Sequence, residues 1–576
     1  MKATDFRTTL RRKLEDCSDE VLLWVLSTPG TDPAEFTGGG LLERSIAAAD
    51  QYSRAPERSV VLLLLPHSVE LFLLHLGLLL TGRVPAILAW PTSRIDPEKY
   101  QRNLLHQLQN LPASELITLP SLARNLEPAL PYPVRPVPCA AGQDLDRVFD
   151  LGFSTTGQGK TPIASKTGGA PEEAAFLQFS GGTTGQQKCV VVTGSMLEMQ
   201  LTRLARTLCF RQDDSVVSWL PLYHDMGLIA CFWLPLWTGA PSLQIGAQDW
   251  LMDPGLLFRF VERFRGTFCW LPNFAFSYLA AQRERMRSSD VRHVRAWVNC
   301  SEPVRRRSID AFVSAFSSWG VTREQCQASY AMAENVFAVT QTVLGSVPPT
   351  VSRSTLHGQS LGAKQLSFGL VDEVYVSSGV PLEDMKVRIR RPDGGLCGDL
   401  EPGGIEIHTP CMFSGYWGTE GFRTTTLAAD GWYVTGDYGF TSCSELYVIG
   451  RTNDIVIVGG QNIFPEDIEV LANSVAGVYP GRIVAFGVDD AEQGTETLVV
   501  IAEMRGEFDP TEAKRIEREI SRTVLSGVGV APRKVRVTPE RWIVKSTAGK
   551  ISRRETRARF MEENAPAPGS GRPKIK

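Results

Sequence analysis

Between two apolar runs, Phe176 to Val190 reads FLQFSGGTTGQQKCV, a concentration of small and hydroxyl residues closed by a lysine. Such a stretch is suited to holding phosphates. Gly181, Gly182 and Gly185 let the backbone take positive φ and approach a ligand, so that successive N–H groups face its oxygens. Ser180, Thr183 and Thr184 add hydroxyl donors, and Lys188 adds a compact mobile charge. The same composition also makes a plain surface loop. The apolar run 174–179 and the β-branched Val190-Val191-Val192 predict strand, loop, strand, not the loop-into-helix of a Walker motif. A helix is predicted from Ser195, with Ser195 and Glu198 as a capping box and Leu197, Leu201, Leu204 and Leu208 on one face. Gly157-Gln158-Gly159-Lys160-Thr161 mimics the end of a Walker loop, but Ser154 stands where its first glycine belongs, and Pro162 opposes a helix start.

Other residues carry chemical potential in context. Ser329-Tyr-Ala-Met-Ala-Glu334 holds an aromatic residue and a carboxylate four positions apart; a glutamate alone is usually a solvated surface group. Gly431-Trp-Tyr-Val-Thr-Gly-Asp437 reads as a strand ending in a carboxylate able to accept from two hydroxyls. Ala296 to Pro303 is a strand ending in polar residues, a common ligand contact at the carboxyl end of a parallel strand. His224-Asp225 follows a buried strand, where such a pair is more often a local cap than a catalytic dyad. Trp219, Phe232, Trp233, Trp237, Trp270, Phe274 and Phe276 flank it, either as core or as the lining of an apolar channel.

The elements that position these groups are those of a large soluble α/β chain. Its 576 residues exceed one core, and 43% apolar with 21% charged residues is a globular composition. A net charge of −3 supplies no reason to propose nucleic acid or an anionic membrane as partner. Eleven cysteines without a C-x-x-C pair argue against disulfides or zinc and for a reduced, cytoplasmic setting. The start, MKATDFRTTLRRKLED, lacks a secretory h-region. Ser59 to Trp90 predicts a β-α-β unit with its turn at Pro66 and a second strand after Gly82. Residues 127–171 read as a long irregular connection. Thr511 to Phe560 holds 14 Lys and Arg against 5 acidic residues, either a surface that meets phosphates or a solvated basic face.

Taken together, these motifs resemble the adenylate-forming superfamily of acyl-CoA synthetases, fatty acyl-AMP ligases and peptide-synthetase adenylation domains, and the resemblance covers nearly the whole chain. It implies an α/β fold: a large N-terminal domain, 1–452, of stacked α/β subdomains with a distorted β-barrel, and a small mobile α+β lid, 453–564, followed by a disordered tail, 565–576. It makes Ser180, Gly182, Thr183, Thr184 and Gly185 the phosphate loop with Lys188. Ser301 and Glu302 occupy an adenine contact, Tyr330 and Ala331 the purine-stacking motif, Glu334 the magnesium position, and Asp437 and Arg451 the ribose site. Asn453 aligns with the hinge, Gly459 and Gly460 with the path of the thiol arm, and Lys550 with the adenylating lysine. His224, Trp219, Asn273 and Phe274 fall at the acid pocket. The HDMGLI form, the P-N-F segment and a connection of 45 residues from Glu334 to Gly379 point to the fatty acyl-AMP ligase branch.

The chemistry implied is two-step. A hydrophobic fatty or polycyclic acid attacks ATP with Mg²⁺ present, and the acyl-AMP is passed to coenzyme A or a carrier-protein pantetheine. The chain departs from the family pattern at Gln187, Cys189, Ala331, Asn453 and Val544. Two further readings therefore stand: a ligase that only thioesterifies a preformed adenylate, and a non-catalytic acyl or nucleotide binder.

Overall fold

The computed structural model describes residues 5–28, 30–91, 97–139, 173–179, 188–352, 355, 374–418, 421–424, 427–428, 430–458, 461–490, 495–545 and 551–564. Two large sheets dominate. One has nine strands, and its central parallel set, Cys326–Ala331, Ala296–Asn299, Phe268–Leu271, Val216–Ser218, Ser242–Gln244 and Val21–Val25, leads every carboxyl end to the same edge. The other has eight strands around the predicted β-α-β unit, seen as Val60–Leu64, Val69–Leu80 and Val84–Ile87. These runs are apolar all round because both faces are covered, and the strand Val60–Leu64 is wholly buried. One continuous core joins the two sheets.

A four-stranded antiparallel sheet, Lys386–Arg390, Gly403–His408, Tyr433–Ser442 and Glu445–Arg451, is open among the described residues. Beyond it, Val478–Asp490, Thr495–Met504 and Lys534–Thr538 form a three-stranded sheet under the helices Pro465–Asn473 and Pro510–Val528. The two hydrophobic cores of this part are built from residues from Val456 onward. No helix among the described residues is long and apolar enough to cross a membrane.

Three expectations change in detail. The helix after the phosphate stretch spans Gly194–Thr207, and its cap is Thr193, whose hydroxyl accepts from the Met196 N–H at 3.3 Å. Thr193 ends the preceding strand and reaches the third helical residue first, so Ser195 caps nothing; Leu197, Leu201, Leu204 and Leu208 are buried as expected. The segment after His224 is a π-helix, Met226–Trp233, a form concentrated at functional sites. The strand through Asp437 continues to Ser442, because it pairs along its length with Glu445–Arg451. The sequence around Gly157 and the tail from 565 lie outside the described residues.

On the Val69–Leu80 helix, His75 is buried among Phe176, Phe232 and Trp233, and neither ring nitrogen has a hydrogen-bond partner among the described residues. Burial lowers its pKa from 6.5 to about 3. The ring is neutral in both states above pH 6.5; as pH falls below that, the unfolded chain takes up a proton that the folded chain refuses. Stability should therefore fall by about 1.4 kcal/mol per pH unit from this group, or about 2 kcal/mol by pH 5. Urea unfolding at pH 7.5 and pH 5.0 checks this: His75→Leu should shrink the difference between the two midpoints, and an unchanged difference would refute the assignment.

Candidate active site

The candidate site lies where the carboxyl edge of the nine-stranded sheet meets the eight-stranded and four-stranded sheets. Buried Asp437 and half-exposed Arg451 stand directly opposite each other on antiparallel strands. Arg451 Nε lies 2.7 Å from Asp437 Oδ1, and the Tyr330 hydroxyl donates to Oδ2 at 2.5 Å. The Asp437 N–H donates to Thr435 Oγ1 at 3.0 Å. Burial pushes the Asp437 pKa up, with Arg451 working against it; burial and then the Asp437 charge push the Tyr330 phenol well above its ordinary range. Tyr330 is itself buried with Val339, Ile389, Ile405 and Ile407, so its hydroxyl is committed to the carboxylate. Ala331 ends the same strand, half-buried.

Glu334 is delivered by the short 3₁₀ turn Ala333–Asn335. The next residue, Val336, has φ 64° and ψ −52°, and the Phe337 N–H reaches back to the Asn335 carbonyl at 2.7 Å. This is a γ-turn of the strained hand, forced on a β-branched residue at a cost of roughly 1–3 kcal/mol. The buried Asn335 amide offsets it, donating to the Ala338 carbonyl at 2.8 Å and accepting from Thr409 Oγ1 at 2.6 Å. The Glu334 carboxylate accepts from the Tyr416 hydroxyl at 3.1 Å, and that hydroxyl lies 3.2 Å from the hydroxyl of Tyr433. Lys188 Nζ sits 4.9 Å from the centre of the Tyr416 ring. These two meet because the strand Gly415–Gly418 pairs with Cys189–Thr193, aligning Trp417 with Cys189.

The predicted acid-pocket residues fall along the same edge. His224 sits half-buried between the strand Val216–Ser218 and the π-helix, with its ring against Tyr223, while Asp225 accepts from the Met226 N–H at 2.8 Å and acts as a cap. Gly227 is required here, since a Cβ would lie 2.4 Å from the Pro221 carbonyl oxygen. Trp219 stacks face to face on Trp250 with centroids 3.7 Å apart, and Phe274, 45% exposed, meets both edge-on. Asn273 is committed internally: its Oδ1 accepts from Asn299 Nδ2 and from the Arg305 N–H, each at 3.0 Å, and its Nδ2 donates to Ser308. Trp233, Trp270 and Phe276 are fully buried core. Ser301 holds φ +71°, and Glu302 accepts from the Phe274 N–H at 2.9 Å, tying two loops of the edge together.

The hinge candidate Asn453 lies in the 3₁₀ turn Thr452–Asp454. Its neighbour Asp454 is bound by Arg553 at 2.5 Å, and Arg553 also meets Glu466 and Glu469; burial raises the Glu469 pKa, with the Arg553 charge working against it. Ser180, Gly182, Thr183, Thr184, Gly185, Gly459, Gly460 and Lys550 lie outside the described residues. On either side of the last, Lys545 and Ile551 pair in an isolated bridge. Sequence reasoning missed Tyr416, Tyr433 and Asn335. Tyr433 stands inside the quoted GWYVTGD motif, four residues before Asp437 on the same strand.

The chain matches the family model "AMP-binding enzyme" over residues 47–417. It is 26% identical over 581 residues to the long-chain-fatty-acid–AMP ligase FadD32 of Mycolicibacterium smegmatis, covering 90% of this chain and 87% of that one. It is 27% identical over 407 residues to the medium-chain-fatty-acid–acyl-carrier-protein ligase JamA of Moorena producens, covering 67% and 68%. Its fold superposes with a TM-score of 0.79 on a structure from work on the fatty acyl-adenylate ligases of E. coli and L. pneumophila, at 21% identity and over 97% and 98% of the two chains.

The cross-strand ion pair makes a direct prediction. Arg451→Met leaves the Asp437 carboxylate buried with Tyr330 as its remaining side-chain partner among the described residues and should cost about 2–4 kcal/mol, whereas adding Asp437→Asn should recover most of that loss. Urea denaturation of the single and double variants checks it; losses that simply add would contradict the coupling.

Proposed function

The chain belongs to the AMP-binding enzyme family, and from that premise we propose that it activates a hydrophobic, fatty-type carboxylic acid with ATP and passes the acyl group from acyl-AMP to a pantetheine thiol. The observation that carries this reading is the division of the site by one strand. Asp437, with Arg451 and Tyr330, offers a buried carboxylate to the two ribose hydroxyls. At the other end Glu334 and Lys188 converge on Tyr416, where the phosphates would lie.

The residues present fit magnesium: Glu334 is half-buried, and among the described residues its one side-chain hydrogen bond engages Oε1, from Tyr416. This suits an ion that takes one or two carboxylates beside substrate phosphates. When bound, magnesium would neutralise charge on the phosphates. Lys188 would leave the Tyr416 ring for a phosphate oxygen. His224 and the Trp219–Phe274 group would meet the acid, and Lys550 would offset charge between carboxylate and α-phosphate. The part from Asn453 onward would act as the lid, turning about the Thr452–Asp454 segment so that the thiol reaches the adenylate. The acceptor is a carrier-protein pantetheine or coenzyme A, and the similarity to the carrier-protein ligase supports the former.

The reading in which adenylation is lost gains no support at Cys189. That side chain is buried in the core, in a strand paired on both sides through Phe179 and Trp417.

Mass-spectrometric product analysis with a panel of fatty and polycyclic acids, Mg-ATP and either thiol acceptor tests the proposal. Acyl-AMP from the free acid, with pyrophosphate released, is expected, and Lys550→Ala should lower it by roughly a hundredfold or more. Products from synthetic acyl-adenylates alone would establish the transfer-only reading, and binding without either product the non-catalytic one.

A further inference from the structure

Tyr433 and Tyr416 lie outside every motif role assigned above, yet they connect the two ends of the site. Tyr433 and Asp437 share one strand, with a bulge at Gly436 (φ +77°) between them. Asp437 serves the Arg451 end; Tyr433 lies against Tyr416, which donates to Glu334. A phenol has one proton. Since the Tyr416 proton goes to the carboxylate, the proton between the two phenols must come from Tyr433, so the chain runs Tyr433 to Tyr416 to Glu334 in one sense. Burial keeps both phenols protonated near neutral pH, raising Tyr433 to about 12 and Tyr416 further.

Two features make this more than a packing contact. Phe413 lies against both rings, at 4.7 Å and 5.6 Å between centroids, and its N–H donates to the Glu334 carbonyl at 2.8 Å, so the backbone and the carboxylate of Glu334 are held by the same cluster. The Tyr416 ring also carries Lys188 on its face, so one side chain touches both groups that would meet the phosphates.

Resting on the adenylation reading, we propose that Tyr433 and Tyr416 are positioning residues that aim the Glu334 carboxylate, and that the strand Tyr433–Ser442 thereby sets the spacing between the ribose end and the metal end of the site. The pair acts on magnesium affinity and leaves ribose recognition alone. Because the Tyr433 hydroxyl reaches the Glu334 carboxylate through the Tyr416 hydroxyl, and both Phe variants keep the rings against Phe413, the two substitutions should not add.

Equilibrium binding of a fluorescent ATP to the full chain, titrated with Mg²⁺, tests this beside binding of AMP in EDTA. Tyr433→Phe and Tyr416→Phe should each raise the half-saturating Mg²⁺ by about three- to tenfold, as expected for losing a hydrogen bond to a charged group at one remove or directly. The double variant should be no worse than Tyr416→Phe, and AMP affinity should stay at the wild-type value in all three. An unchanged Mg²⁺ midpoint, a parallel loss of AMP affinity, or additive effects would overturn the proposal while leaving the adenylation reading standing. A wild-type chain showing no Mg²⁺-dependent ATP binding would overturn both.

Discussion

The interaction on which the site depends is the ion pair between Asp437 and Arg451, directly opposite each other on neighbouring antiparallel strands. A carboxylate this deeply buried is costly unless paired, and the pairing is available only in one register: a slip by one residue would turn Asp437 to the other face. Tyr433, earlier on the same strand, meets Tyr416, and Tyr330 completes the hydrogen bonding of Asp437 from a different sheet. The Tyr330–Asp437 hydrogen bond therefore ties the four-stranded sheet to the nine-stranded one. The mutual orientation of the groups at both ends follows from that.

Around this lock the chain concentrates its strained and polar-buried features. Val336 and Ser301 take positive φ on either side of the strand Cys326–Ala331, and both lie within two residues of a candidate ligand contact. The strain at Val336 persists because the buried Asn335 amide and Thr409 over-determine the turn. The Asp454–Arg553–Glu466–Glu469 group does comparable work beyond the site, linking the segment after Arg451 to the final helix.

Much of this was legible in the sequence wherever chemistry is local. The motifs around Glu334, Asp437 and Arg451 identified residues that the fold brings to one place, and the apolar run at Val60 read correctly as a buried strand. Whatever depends on long-range pairing was not legible. Nothing near Asn273 announces that its amide is used by Asn299, Arg305 and Ser308, and nothing near Trp219 announces its stack on Trp250, 31 residues away. Cys189 looked like a change in a ligand loop because its neighbours are loop residues; strand pairing on both sides turns it into core. The capping box failed for a smaller reason, since the preceding strand delivered Thr193 to the cap first.

The most direct test of the account is a crystal structure with a non-hydrolysable acyl-sulfamoyl analogue of the adenylate. The account predicts both ribose hydroxyls within about 2.7–3.2 Å of the Asp437 carboxylate or the Arg451 guanidinium. The sulfamate should lie on the side of Lys188 and Glu334, with the acyl chain beside His224 and Phe274. A ribose held elsewhere, with Asp437 still closed by Arg451 and Tyr330, would contradict it.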